Sequence, residues 1–430
     1  MVSVRSLDRR VLSLSLARSA SAFANSFLLI ILPLYIGSTV VSLSELQQVT
    51  VFGFQPSQEF YIGLILSMLG FISGITQPII GGISDSIQKR KVFIIAGISI
   101  LTLSTFGYIL STNYTVLLIL RATQGVGVGM TVPVSTALIT EYSYQSETNN
   151  SGENLGYFNT FRLIGFGSGP VVAGAIYQYG PYETFIGTVS GVNTALLVSC
   201  LFSFIALMIV FRFVEETNIE REESAEEESE RSIIGQVAYV LSPRSSIAST
   251  PINPVFILGG ATFILAASIA LFATLETPIN NRLDQTSLIF SIQFSLGIFG
   301  NVLFQVPAGR LSDRIGRKPV LLVGFVILVP VMFAHGLVES SLQMSVVRFL
   351  LGTSVALFFP ASLALAGDIS PTKSGLVLSV LTSAFSFGVA AGPLLAGFLY
   401  DIGTYTTPFF VMGSVSAVVS LSLFVWYFYE

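Results

Sequence analysis

Charge is scarce in this sequence of 430 residues. Asp, Glu, Lys and Arg together make up 10% of it, against about a quarter in an ordinary soluble domain. Too few charges are present to build a water-facing shell around a chain of this length. Cysteine and histidine are scarcer still, at one each, Cys200 and His335. A single cysteine excludes an intrachain disulfide. One Cys and one His leave no ligand set for a zinc or haem centre, so no metal and no cofactor is expected. There is no glycine-rich loop ending in Lys-Ser or Lys-Thr, which argues against ATP-driven transport by this chain on its own. No nucleophile–base constellation marks an enzyme, and no basic stripe suggests nucleic acid. Strict alternation of apolar and polar residues is also absent, which excludes a lipid-facing β-barrel.

Apolar length is what the chain has in abundance: 52% of residues are hydrophobic, and 35 are Phe. A spanning helix needs about 20 mostly apolar residues. Twelve such windows are found, near 18–37, 60–80, 92–110, 114–138, 155–178, 185–212, 254–276, 287–308, 319–337, 341–365, 374–398 and 405–428. The expected fold class is an all-α polytopic membrane protein. The opening stretch DRRVLSLSLARSASAFA has the outline of a cleaved signal, but Arg18 interrupts its apolar run. It reads better as a cytoplasmic tail, residues 1–17, that leads into the first span. With the N-terminus inside, the segments expected on the inner side hold sixteen of the Lys and Arg residues. The outer loops hold only Arg282, and Arg121, Arg162 and Arg348 fall within spans. That asymmetry places both termini in the cytoplasm, as an even number of spans requires.

One segment breaks the pattern. Nine glutamates lie between Glu215 and Glu230, followed by SIIGQVAYVL, whose apolar residues are spaced for one face of a short amphipathic helix. Residues 215–253 therefore read as an acidic cytoplasmic linker between two six-helix bundles, 18–214 and 254–430. The bundles repeat one another. Gly81 and Asp85 recur as Gly309 and Asp313, and Arg121, Gly125 and Glu141 as Arg348, Gly352 and Asp368. GFGSGPVVAG (Gly165, Gly169, Pro170, Gly174) recurs as GVAAGPLLAG (Gly388, Gly392, Pro393, Gly397). Two such halves related by an axis along the membrane normal form one large class of transporters.

These motifs carry a family resemblance. GRLSDRIGRKP supplies Gly309, Asp313, Arg314, Gly316, Arg317 and Lys318, and is similar to the loop that joins helices 2 and 3 in the major facilitator superfamily. The first copy, GGISDSIQKRK, keeps Gly81, Asp85, Lys89 and Arg90 but has Ser86 and Gln88 in place of Arg and Gly. The resemblance spans nearly the whole chain and implies twelve helices in two pseudo-symmetric bundles. It also implies a latch, made by these loops with Glu141 and Asp368, that closes the cytoplasmic side. RATQGVGVG, with Arg121, Gln124 and Gly125, resembles a helix-4 motif of proton-coupled members. The glycine–proline motif of helix 5 resembles one that marks antiporters, and Pro170 should bend its helix.

Intramembrane ionisable residues are costly and usually functional. Glu276 and Arg348 therefore join Arg121 as candidates for ion coupling, and the plain alternative for Arg121 is snorkelling to the outer interface. Asn25, Asn159, Arg162, Gln293 and Asn301 are candidates for the substrate cavity, and each polar one could equally join helices together. The resemblance points to a secondary transporter of the drug/proton antiporter-like branch. It would act as a monomer in the plasma membrane, moving a small organic solute outward by alternating access at the expense of a proton gradient. A metabolite importer or facilitator on the same fold is the first alternative, and a non-transporting receptor or sensor is the second.

Overall fold

The computed structural model describes residues 8–38, 55–145, 151–184, 187–217, 253–369 and 374–429. Twelve long helices run through them. The first six are α1 (Arg9–Gly37), α2 (Gln58–Ile87), α3 (Arg90–Leu110), α4 (Tyr114–Gln145), α5 (Ser151–Tyr179) and α6 (Gly191–Phe213). The second six begin with α7, made of Pro254–Ala270, a 3-10 turn Leu271–Leu275 and Glu276–Leu283. They continue with α8 (Ser287–Ile315), α9 (Arg317–Leu337), α10 (Ser341–Ile369), α11 (Ser374–Asp401) and α12 (Thr407–Tyr429). Eleven of these are long and apolar enough to cross a bilayer, and α5 falls outside that group. A helix of 29 residues, such as α1 or α8, is about 43 Å long, more than the ~30 Å hydrocarbon layer. The helices therefore project beyond the apolar windows. α1 starts at Arg9 rather than near residue 18, so Arg18 lies inside it. α6 starts later than expected because a hairpin of β1 (Tyr182–Thr184) and β2 (Gly187–Val189) occupies the start of its window. The amphipathic stretch 232–241 and most of the expected linker lie outside the described residues.

Local chemistry sets the helix ends. Ser57, Ser190, Asn253 and Thr286 accept hydrogen bonds from first-turn N–H groups of α2, α6, α7 and α8, satisfying donors that have no partner within the helix. Asp8 caps α1, accepting from Arg10 N at 2.8 Å. Its partial burial favours the protonated form, yet the hydrogen bonds and positive charge of Arg10 outweigh that and hold it below the usual carboxylate range. The corner between α8 and α9 is made by Gly316 at φ 97°. The equivalent corner between α2 and α3 is made by Gln88 at φ 55°, a left-handed backbone that costs a side-chain-bearing residue about 1–2 kcal/mol. The motif glycine is thus explained by backbone geometry, and its loss in the first copy leaves a strained turn.

Packing repeats with the sequence. In the first half α1 lies on α5 and α6, α3 on α4 and α6, and α2 on α4. In the second, α7 lies on α11 and α12, α9 on α10 and α12, and α8 on α10. The halves meet along two seams, α2 with α11 and α5 with α8.

Candidate functional site

The seams are one-sided. α1 begins and α12 ends on one side of the molecule, here called the terminal side; the other is the distal side. Along the first seam, a Cβ on Gly63 would lie 2.3 Å from the Pro393 carbonyl oxygen, and one on Gly397 would lie 2.6 Å from the Glu59 carbonyl oxygen. Only glycine permits that approach. At the distal tip the Ser57 N–H donates to Asp401 Oδ2 at 2.9 Å, from one half to the other. Along the second seam, Gly174 faces Ser291 and Gly167 faces Ile298, and the Phe166 and Phe294 rings are 6.4 Å apart. All of these contacts lie on the distal stretches of their helices. Towards the terminal side Ile75, Ile79, Ile83 and Ile87 of α2 and Phe299, Leu303 and Val306 of α8 are exposed, and Gly81, Gly82 and Gly309 have open space beside them. The halves are closed against each other distally and splayed apart at the charged loops.

Each charged loop is knotted within its own half. In the first, Arg90 is 4% exposed and bridges Asp85 at 2.6 Å and Glu141 at 2.9 Å, with a further bond to Ser84 Oγ at 2.9 Å. Glu216, just past α6, accepts from the backbone N–H groups of Arg90 and Lys91, placing a negative charge on the N-terminus of α3 as its dipole favours. Thr217 donates to Glu141. Asp85, Arg90, Glu141 and Thr217 line a cavity of about 370 Å³ with Gln88, Thr140 and Tyr144. In the second half Arg317 pairs with Asp313 four residues earlier and reaches Asp368 at 3.6 Å. Lys318, in register with Arg90, lies 4.8 Å over the Trp426 ring. Lys89 and Arg314 are exposed. Among the described residues no ion pair joins one knot to the other.

The candidates for coupling are deeply buried. Arg121 is 1% exposed and donates to Gln124 Oε1 at 3.0 Å. The same oxygen accepts from Tyr108, and Gln124 Nε2 donates to Thr105. Arg121 is therefore held inside the first bundle rather than turned to the interface. Gly125 lets α4 close on Leu69 and Ile72 of α2. Arg348 takes a different partner: its guanidinium lies 3.8 Å over the Phe272 ring and 5.4 Å over Phe294. Glu276 is wholly buried just after the 3-10 turn of α7, and neither of its carboxyl oxygens has a hydrogen-bond partner among the described residues. His335 bonds to the Val331 carbonyl of its own helix at 2.7 Å.

The two glycine–proline motifs share one arrangement. Gly165 and Gly169 pack on α1 at Ser19, Phe23 and Ser26, as Gly388 and Gly392 pack on α7 at Phe263, Ala266 and Ala267. Gly174 and Gly397 then face the opposite half. Pro170 and Pro393 lie inside their helices. Of the cavity candidates, Asn25 carries a buried Oδ1 without a partner, and Asn159 Oδ1 accepts from Arg162 Nε at 3.3 Å. Asn301 lies beside the α8–α10 crossing at Gly352. Gln293 is buried and its amide is engaged by Gln285 and the Ser341 carbonyl. Asp401 and Glu216 did not stand out in the sequence, because each acts on backbone N–H groups far away along the chain.

The profile of the Major Facilitator Superfamily matches residues 14–277 and 256–430. The chain belongs to that family. The transporter is 28% identical over 370 residues to the multi-drug resistance efflux pump PmrA homolog of Lactococcus lactis, covering 85% of this chain and 83% of that one. It is 26% identical to the multidrug resistance protein MdtG of Salmonella arizonae, with 77% of each chain covered. Among solved structures it superposes on the nucleoside transporter NupG with a TM-score of 0.74, at 14% identity, over 98% of this chain and 99% of that one. A D-xylose–proton symporter superposes with a TM-score of 0.72, at 14% identity, over 96% of each. At such identities these structures show the shared fold.

Proposed function

We propose that the transporter exports small organic molecules by alternating access, in exchange for protons, with both termini in the cytoplasm of a cell bounded by the plasma membrane. The bundles 18–214 and 254–430 rock as units about the two seams, and the chain works as a monomer. The observation that carries this reading is the one-sided contact between the halves: the seams are closed distally and open at the charged loops. This is one end state of a rocking cycle. In the other state the loops meet, and Asp85 and Asp313 find partners across the gap. The relatives named as multidrug pumps support efflux.

Glu276, Arg121 and Arg348 form the coupling set. A carboxyl buried without a counter-charge has its protonation tied to conformation, and Glu276 lies where the 3-10 turn interrupts α7 beside both seams. The test is ethidium uptake into everted vesicles with and without an imposed inward-acid gradient. Accumulation that follows the gradient and collapses with it supports antiport. Gradient-independent equilibration points to a facilitator, and absence of any flux across a broad solute panel points to a receptor.

A further inference from the structure

Arg18 of α1 and Arg162 of α5 lie at similar heights, nine and eleven residues from helix starts at Arg9 and Ser151 on the terminal side, or about 15 Å along the axes. The crossing of these helices brings them together. A Cβ on Gly165 would lie 2.1 Å from the Ser19 carbonyl oxygen, so the two backbones touch one residue past Arg18 and one turn past Arg162. The crossing sets the two arginines on adjoining turns of packed helices. Neither has a carboxylate partner among the described residues. The Arg18 Nε is buried with no hydrogen bond, although Ser21, Thr131 and Ser135 share a small crevice with Arg18. Arg162 has the Asn159 amide oxygen alone. Seven residues along α1 from Arg18, on the same stripe, the Asn25 Oδ1 is also buried and unpartnered.

Two unneutralised cations at membrane depth are costly. Elsewhere this chain neutralises its arginines: Asp85 and Glu141 serve Arg90, and Asp313 and Asp368 serve Arg317. Arg121 has Gln124, and Arg348 has two aromatic rings. The Arg18–Arg162 pair has neither a carboxylate nor an aromatic ring among the described residues, and one amide oxygen, that of Asn159, serves the two of them. Its position accounts for the difference. Asn159, Arg162 and Phe166 form one stripe of α5, and Phe166 is the residue that meets Phe294 across the second seam. The stripe continues from that contact towards the terminal side, where the halves are apart. Arg162 therefore borders the open cleft, within reach of a solute entering from that side, and the helix crossing sets Arg18 behind it.

We propose that Arg18 and Arg162 form an anion subsite and that the substrates include organic anions bearing a carboxylate or similar oxyanion. Two guanidinium forks match the oxygens of such a group. Asn25 accepts a hydrogen bond from the substrate, and Phe166, half-buried one turn beyond Arg162, takes its apolar body. This rests on the transport reading above and names the substrate class for it.

The test uses the full-length protein in lipid nanodiscs and two dyes of one scaffold with opposite charge, 5-carboxyfluorescein and rhodamine 123, read by fluorescence polarisation. Wild type binds carboxyfluorescein. In R162Q and in R18Q the ratio of carboxyfluorescein to rhodamine affinity falls about tenfold or more, as loss of a charge-assisted bond requires, and R162K restores most of it. Melting curves establish that each variant is folded. Two results would overturn the subsite: wild type that binds rhodamine 123 but not carboxyfluorescein, or Gln variants in which both affinities fall in parallel. Neither result touches the antiport reading, which the vesicle experiment decides separately. Conversely, a carboxyfluorescein site lost in R162Q stands even if no gradient drives flux.

Discussion

Asp401 offers the sharpest test of the one-sided closure. Its Oδ2 accepts the Ser57 N–H at 2.9 Å, so the C-terminal end of α11 supplies a negative charge to the N-terminal end of α2 in the other half. A charge at a helix N-terminus contributes about 0.3–1 kcal/mol when exposed and up to ~2 kcal/mol when partly buried. This contact is partly buried, so about 1 kcal/mol is lost when D401N removes the charge and keeps the shape. The bond exists only while the distal side is closed. Its loss therefore moves the equilibrium toward distal opening by about fivefold. Thr274 reports that opening. It is 1% exposed, and it sits in the 3-10 turn of α7, which α2 also touches. In a C200S background, Thr274→Cys should react with a membrane-impermeant maleimide about five times faster when D401N is added. A rate unchanged within twofold would show that the distal contact does not hold the closed state.

Three further outcomes follow from the charged corners. Arg90→Ala leaves Glu141, 15% exposed, without its cation. It should cost about 2–4 kcal/mol, seen as a lower melting temperature in detergent, and an unchanged melt would remove Arg90 as the hub. Q88G should stabilise the protein by about 1 kcal/mol through relief of the left-handed turn, and a lower melting temperature would argue against strain there. D313N removes an exposed pair that spans the corner between α8 and α9, so stability should stay within about 0.5 kcal/mol while turnover in vesicles falls severely. Normal turnover in D313N would take the latch out of the cycle.

The spans were legible because a membrane demands about 20 apolar residues wherever a helix crosses it, and the duplication was legible because motif spacing survives drift. Helix ends were not, since hydropathy reports the lipid layer and the helices continue past it; Arg18 was placed at an edge for that reason and lies inside α1. The break in α7 at Leu271–Leu275 does have a signal, Pro278, which cannot bond to the Thr274 carbonyl four residues before it, but that signal went unread in the sequence. The charged loops were legible as clusters, but their pairings were not. Each motif offers several cations, and the first copy uses Arg90 where the second uses Arg317, one position out of register. Gln293 and Asn25 looked alike in sequence. Packing alone separates an amide already engaged from one whose oxygen is unpartnered. Asp401 bonds to a backbone group 344 positions away, and no local pattern encodes such a partner.

The two copies of the charged corner have aged differently. The Arg90 side chain is only 5% exposed and its carboxylate partners Asp85 and Glu141 are 49% and 15% exposed, whereas Arg317 is 30% exposed and Asp313 and Asp368 are each 63%. Dissolved salt screens exposed charges far more than sheltered ones. Raising the ionic strength will therefore slacken the corner that joins α8 to α9 more than its sister, which keeps the sheltered Arg90–Glu141 pair, so a machine built from twin parts acquires one compliant joint and one stiffer one.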